Sequence, residues 1–364
     1  MNTEKEQISA KQLMLSVGCF IQGSSLILNF ATATTKQDSW IAAILGLLIA
    51  APIFGIYFLL IKQFPGMNII EITIRVFGKV LGRILSLIYI YYFFSLTFLN
   101  TEILGNFMNG FIMPETPTVV FYLMFIFVCV WAVRSGIENI TRYSALFVFI
   151  TFGALLITTV LSIKDLKTSN IFPIFSLPAM KYFQSSYTIA LLPYCEVFTF
   201  FMLFPEIKDK NKIYGALIKG VLIGAITIFI SILKTILMVG PLIAILSYPT
   251  YAAIRMIDIG NILTRMEVIF ACILIILLFF KVTIILYATV KGIAQIFNLH
   301  SYKILTPSVG VLTVVFSLRS LATAPNIAYW GANVAAVYSS FFEILLPVMT
   351  LAVCITKKLL IKKG

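Results

Sequence analysis

The chain has 364 residues, 60% of them apolar and only 11% charged, with a mean hydropathy of +1.03. Soluble domains carry about 25% charged residues, so a water-exposed globular fold is excluded and an integral membrane protein is implied. The net charge of +13 is dispersed along the chain with no recognition module around it, which argues against a nucleic-acid surface.

A helical span takes roughly 20 apolar residues, so about ten spans use most of the chain and leave no room for a separate soluble domain. After a polar start, Met1 to Lys11, the first span runs from Gln12 to Ala33 and is interrupted at Gly18 and again at Gly23-Ser24-Ser25. Its end, Ala31-Thr32-Ala33-Thr34, has the small residues of a cleavage site, but the glycine break and the many later spans favour a retained helix. The second span, Trp40 to Ile61, stops at Phe64-Pro65-Gly66. In the connector that follows, Ile69, Ile70, Ile72, Ile74, Val76 and Phe77 are interleaved with Glu71, Thr73 and Arg75, which predicts an amphipathic helix lying at the membrane interface or packed on the bundle. The third, fourth and fifth spans are Leu81 to Phe107, a short Val119 to Val133, and Tyr143 to Ile163. A Pro-, Ser- and aromatic-rich stretch, Phe172 to Gln184, leads into the sixth, Ser185 to Phe204, which is interrupted at Pro193-Tyr194-Cys195-Glu196. The seventh is Ile213 to Val239. A moderately polar connector, Ser247 to Glu267, with Pro249, Arg255, Asp258, Gly260 and Arg265, is expected to cap an entrance. The eighth to tenth are Val268 to Val290, Ile304 to Leu321 and Gly331 to Ile355.

Helix interruptions are tolerated in a bilayer only where protein or a watery cavity satisfies the freed backbone groups. Two of them, five spans apart, are what two inverted five-helix repeats produce, with a ligand held between the broken first and sixth helices. The expected fold is therefore an all-α polytopic membrane protein of about ten transmembrane helices in a 5+5 inverted-repeat arrangement. It forms one transmembrane domain over residues 1–364, with repeats at about 10–165 and 183–356. Most of the 27 Lys and Arg residues fall in the segments that share a side with the N-terminus, which predicts both termini in the cytoplasm.

Several chemistries drop out. The only histidine, His300, lies in a loop, so HExxH, a Ser-His-Asp triad and multi-histidine metal sites are incomplete. No Walker motif or GxGxxG turn is present, and no cofactor or enzymatic activity is expected. The cysteines, Cys19, Cys129, Cys195, Cys272 and Cys354, sit in apolar segments without a CxxC pair, consistent with packing.

The candidate binding residues cluster at the two interruptions. Gly23-Ser24-Ser25 either exposes backbone N–H groups to a ligand carboxylate or serves close helix packing through small residues. Gln22 hydrogen-bonds the ligand or a neighbouring helix. Tyr194 and Cys195 flank Glu196, an intramembrane carboxylate that costs roughly 2.5–3.5 kcal/mol to insert at a helix centre and so must face a cavity or a partner. Glu196 would bind a ligand ammonium group, accept a proton, or form a structural pair with Lys281 or Lys234. Tyr287 lines the pocket or is a hydrogen-bonded packing residue. Glu102 and Glu343 are also embedded, nearer the interfaces.

Lys36-Gln37-Asp38-Ser39-Trp40-Ile41-Ala42, the Phe64-Pro65-Gly66 to Gly82 connector with Glu71 and its Gly-Lys and Gly-Arg pairs, Ser247-Tyr248-Pro249 to Arg265-Met266-Glu267, and Phe280-Lys281 followed by Leu286-Tyr287-Ala288 together resemble the B subunits of spore germinant receptors. The likeness runs from about Ile8 to the C-terminal lysines. It implies the LeuT-like fold of the amino acid, polyamine and organocation permeases and residence in the inner membrane of bacterial spores. It also implies a nutrient-sensing role, with an amino acid or other small nutrient as ligand and germinant receptor A and C subunits as partners. By analogy with cation-coupled permeases, the Lys281 ammonium would stand at an ion site beside Glu196. The sixth span departs from the related permeases, which often have glycine where Pro193-Tyr194-Cys195 stands. A carrier that moves an amino acid with H+ or Na+ shares the same pocket and is the alternative reading.

Overall fold

The computed structural model describes residues 6–25, 28–257, 266–321 and 324–361. In chain order its α-helices are α1 (Ala10–Gln22), α2 (Asn29–Thr35), α3 (Ser39–Gln63), α4 (Ile69–Phe77), α5 (Lys79–Phe107), α6 (Thr118–Ser135), α7 (Ile137–Leu161) and α8 (Ala179–Ile189). They continue as α9 (Ile213–Val239), α10 (Pro249–Arg255), α11 (Met266–Ile296), α12 (Thr306–Ser317), α13 (Ala324–Asn333), α14 (Ala335–Ser340) and α15 (Leu346–Ile361). Among the described residues, 8 helical stretches are long and apolar enough to cross a membrane. One of these stretches, Asn29–Gln63, already joins α2 to α3, and α1 with the short α12 brings the passes to the ten expected from the sequence.

The first pass breaks where the glycine and serines stand. The second is unbroken α3, and the fourth, α6, is short, with 18 residues. The sixth pass behaves differently from the expectation. Pro193 removes one helical donor, yet the backbone stays wound: α8 widens into a π-turn at Ala190–Tyr194 and then tightens into a 3₁₀ segment, Cys195–Glu206. The interruption is thus a change of hydrogen-bond register, a form that recurs at functional sites. Within this pass, Ala179–Glu206, 94% of the most apolar 18-residue stretch is buried, so the other helices surround it. The tenth pass is also divided, by a π-turn at Phe341–Leu345 between α14 and α15.

The connector after α3 becomes α4, held by a capping box. Asn68 Oδ1 accepts from the Glu71 amide at 3.0 Å and Glu71 Oε2 from the Asn68 amide at 2.9 Å. Its apolar side, Ile69, Ile70, Ile72 and Val76, is buried, so α4 packs on the bundle. Of the later connector, α10 is described; the cap expected around Asp258, Gly260 and Arg265 lies outside the described residues.

Two helix contacts frame the centre, α1 against α9 and α5 against α11. The α1–α9 crossing is close because glycines line it: a Cβ on Gly220 would stand 2.5 Å from the Met14 carbonyl, and one on Gly224 2.5 Å from Ile21 Cβ. Small residues permit this backbone approach where lipid supplies no hydrophobic drive.

The two termini share one face. The N-terminal strap pairs with the segment after the sixth pass, with Ile8 N donating to Glu206 O at 2.8 Å and Lys208 N to Ile8 O at 3.0 Å. Near the other end, Lys357 Nζ donates to the Val76 carbonyl at 2.5 Å.

Candidate functional site

α1 ends because the backbone tightens. Gly23 N bonds Cys19 O at 3.0 Å, Ser24 N bonds Ile21 O at 3.0 Å and Ser25 N bonds Gln22 O at 3.2 Å, so the last two bonds span one residue fewer than α-helical ones. The three N–H groups offered by the sequence as a carboxylate seat are therefore spent inside the turn. Gly23 has the packing role: a Cβ there would lie 2.9 Å from the Leu277 carbonyl and 3.1 Å from Lys281 Cβ. The turn rests directly on the backbone of α11.

From α11, Lys281 reaches across the break. Its Nζ donates to Glu196 Oε2 at 2.6 Å and to Ser24 Oγ at 2.8 Å, and it sits 5.2 Å from the centre of the Phe20 ring. Neither partner of the ion pair sees solvent appreciably, at 0% and 3% exposure. One ammonium thus ties the broken first helix, the register change of the sixth and the eighth span together. Of the two lysines weighed as partners for Glu196, the structure selects Lys281.

The Lys281–Glu196 pair leaves polar atoms over. Among the described residues, Glu196 Oε1, Asn100 Oδ1 and Gln22 Oε1 are buried without a hydrogen-bond partner. Gln22 Nε2 donates to Thr227 Oγ1 at 3.0 Å, so this side chain joins α1 to α9. Tyr194 and Cys195 are buried in the π-turn and its exit, and Tyr57 Oη donates to the Cys195 carbonyl at 3.5 Å and the Glu343 carbonyl at 2.8 Å.

Glu343 belongs with this cluster, although its position in the chain suggested an interface. It is fully buried in the π-turn of the tenth pass. Oε1 accepts from Tyr92 Oη at 2.6 Å, Oε2 has no partner, and the carboxylate lies within electrostatic range of both Glu196 and Lys281. Buried acids in a membrane bundle mark functional paths by default, and that signal was present in the sequence.

Tyr287 does not join the cluster. Its hydroxyl accepts from Lys291 Nζ at 2.8 Å, its ring packs edge-on to Tyr302 at 5.3 Å, and Lys291 pairs with Glu206. Tyr302 Oη donates to Glu6 Oε1 at 3.0 Å. Burial, with Glu6 beside it, holds the Tyr302 phenol well above its ordinary pKa, so it remains a donor at neutral pH. These residues close the termini face below the break.

Two cavities border the break on the opposite side. One is lined by Ser25, Asn29, Thr235 and Tyr248 among others. The second is lined by Ser25, Thr158, Thr227, Lys234, Leu274 and Leu277 among others. Ser25, Thr250 and Phe270 contribute to both.

Comparison with known proteins places this geometry. The spore germination protein family matches residues 7–324. The chain belongs to that family. It is 27% identical to spore germination protein KB of Bacillus subtilis, over 98% of this chain and 96% of that protein. It is 25% identical to spore germination protein A2 of the same organism, over 85% and 88%. Among solved structures, MhsT in complex with L-phenylalanine aligns over 96% of this germination protein and 89% of its own chain, with a TM-score of 0.68 and 14% identity. Mhp1, a nucleobase-cation-symport-1 family transporter, aligns over 95% and 82%, with a TM-score of 0.65 and 12% identity. These likenesses establish the LeuT-like fold of this germination protein.

Proposed function

We propose that this germination protein is the nutrient-sensing subunit of a spore germinant receptor. A small nutrient, an amino acid being the best fit, binds where the first helix breaks, among Gln22 to Ser25 and Tyr194 to Glu196. Lys281 with Glu196 forms the coupling site, and Tyr287 belongs to the face that responds. The observation that carries this reading is the Lys281 clamp: a single buried cation holds both irregular helices to α11, so any solute that rearranges the break must also rearrange three spans. A ligand shifts a protein between states only through its different affinity for them, and this clamp provides such a difference. The family match supports the sensing role, and the transporter neighbours support a solute-sized site. The two inverted repeats fall at about residues 10–165 and 183–356, the protein resides in the inner spore membrane with both termini cytoplasmic, and A and C subunits receive the signal.

Spores that carry this chain with its A and C subunits should germinate in response to a nutrient, and Glu196→Gln should raise the concentration required by more than its fall in protein level accounts for. Proteoliposomes containing the chain alone should not accumulate radiolabelled amino acids. Robust accumulation driven by an H+ or Na+ gradient would replace sensing with transport.

A further inference from the structure

The centre of the bundle gathers two acids around one cation. Glu196 Oε2 accepts from Lys281 Nζ at 2.6 Å, and the Glu343 carboxyl, in the π-turn of the tenth pass, lies within electrostatic range of both. All three are buried, Glu196 at 3% exposure and the other two at 0%. The other titratable groups that face Glu343 are Tyr57 on α3, Tyr92 on α5 and Cys195 in the sixth pass. Phenols and thiols are uncharged at neutral pH, so they do not alter the count. Among the described residues no lysine or arginine pairs with Glu343. With both carboxyls ionised, the cluster would hold one negative charge that nothing answers, inside a membrane bundle.

Hydrogen bonding shows where the surplus lies. Lys281 Nζ is directed at Glu196 and at Ser24 Oγ. Glu343 Oε1 accepts from Tyr92 Oη at 2.6 Å, a ring held by stacking on Phe342 at 4.3 Å, and Tyr57 Oη donates to the backbone carbonyl of Glu343 at 2.8 Å. Glu343 Oε2 has no partner. The Glu343 carboxyl thus receives one neutral hydrogen bond and no cation, whereas Glu196 holds the ammonium. A buried carboxylate without a counter-charge is neutralised in preference to staying ionised, and of two acids that share a site one keeps its proton. A proton on Oε2 needs no extra room and leaves the Tyr92 bond to Oε1 intact.

We propose that Glu343 holds a resident proton on Oε2, which neutralises the centre of the bundle and leaves Lys281 committed to Glu196. The proposal deepens the sensing reading above and rests on it, because it sets the charge state of the coupling site. Ionised, Glu343 would compete for Lys281 from the tenth pass and slacken the tie between α11 and the sixth.

The test is infrared spectroscopy of the full-length chain in lipid nanodiscs, in H2O and D2O at neutral pH, with no nutrient added. A protonated carboxyl gives a C=O band that ionised carboxylates lack and that shifts down in D2O. The wild-type spectrum minus that of Glu343→Gln should contain this band. Tyr92→Phe removes the hydrogen bond to Oε1, so the band should move to higher frequency; this variant keeps every carboxyl and covers the case in which Glu343→Gln fails to fold. Lys281→Met strips Glu196 of its counter-charge, so a second carboxyl should take up a proton and the band area should rise about twofold. No band in the wild type, a band that Tyr92→Phe leaves unmoved, or an area that Lys281→Met leaves unchanged would each overturn the proposal. So would a band present in choline chloride and abolished by sodium or potassium chloride, because the counter-charge would then be a metal cation. The spectra need no nutrient, so the two readings fail separately: spores lacking the chain that respond as the wild type does would refute sensing with the band in place, and a missing band would refute the proton with sensing intact.

Discussion

Removing the Lys281 ammonium tests whether the clamp is one energetic unit. Lys281→Met keeps the length and apolar character of the stem but deletes the 2.6 Å ion pair with Glu196, the 2.8 Å bond to Ser24 and the contact with Phe20. Taking away one partner of a buried pair costs about 3–5 kcal/mol, because the other is left desolvated and uncompensated. Glu196→Gln should cost a similar amount, since it strands the lysine. Replacing both by neutral groups of similar size is often nearly neutral, so Lys281→Met/Glu196→Gln should lose only about 0–2 kcal/mol. The singles sum to about 6 kcal/mol or more, and the coupling energy should then exceed about 3 kcal/mol, at the upper end for interacting residues. Reversible unfolding in mixed detergent micelles, measured for the four proteins of the cycle, gives this number directly. A double variant whose loss equals the sum of the singles within about 0.5 kcal/mol would show that the two side chains act independently, and the clamp would have no energetic basis.

Gly23→Ala should destabilise the fold by about 1–3 kcal/mol in the same assay, because its new methyl would meet the Leu277 carbonyl at 2.9 Å; a neutral result would mean the break is not seated on α11. Lys291→Met should loosen the termini face. It frees Glu206, whose carbonyl accepts the Ile8 amide, so hydrogen exchange at Ile8 should speed up by about tenfold while the core amides keep their protection. Unchanged exchange there would show that backbone pairing alone holds the strap.

Much of the bundle was legible because apolar run length dictates membrane spans, and Gly23-Ser24-Ser25 marked a true end of α1. Glu196 and Lys281 were legible as embedded charges, and their pairing follows from the cost of leaving either alone. Three features were not. Pro193 announced a break but not its form, because losing one donor can be absorbed either by unwinding or by a register change, and the packing around Ala179–Glu206 decided for the latter. Glu343 reads from the sequence as lying near an interface because depth along a span does not fix which way a side chain faces, and a π-turn rotates it inward; of the two roles open to Tyr287, hydrogen-bonded packing is the one seen, since it lies six residues beyond Lys281 and meets Lys291 and Tyr302. The sequence offers Lys234 only as a possible partner of Glu196, and the fold shows instead that, among the described residues, the cavity wall it shares holds threonines and leucines and no carboxylate.

The two sides of the break can communicate through a single turn. Ser25 borders both cavities, and Ser24 carries the bond to Lys281 at 2.8 Å. A hydrogen bond of this kind is lost by about 3.5 Å, so a shift of less than about 1 Å in the turn switches the contact off. Such small displacements become state changes in closely packed interiors, which are bistable and do not deform smoothly. Ser24→Ala removes the bond while keeping the small side chain that the crossing needs. Its effect on nutrient-triggered germination should therefore exceed its effect on nutrient binding, with the response weakened several-fold more than the affinity. Binding would be read by thermal shift on the purified chain and response by spore refractility. Equal losses in both would make Ser24 a simple ligand contact, and no loss in either would mean that the turn transmits nothing and that coupling runs through Tyr57 and Glu343 instead.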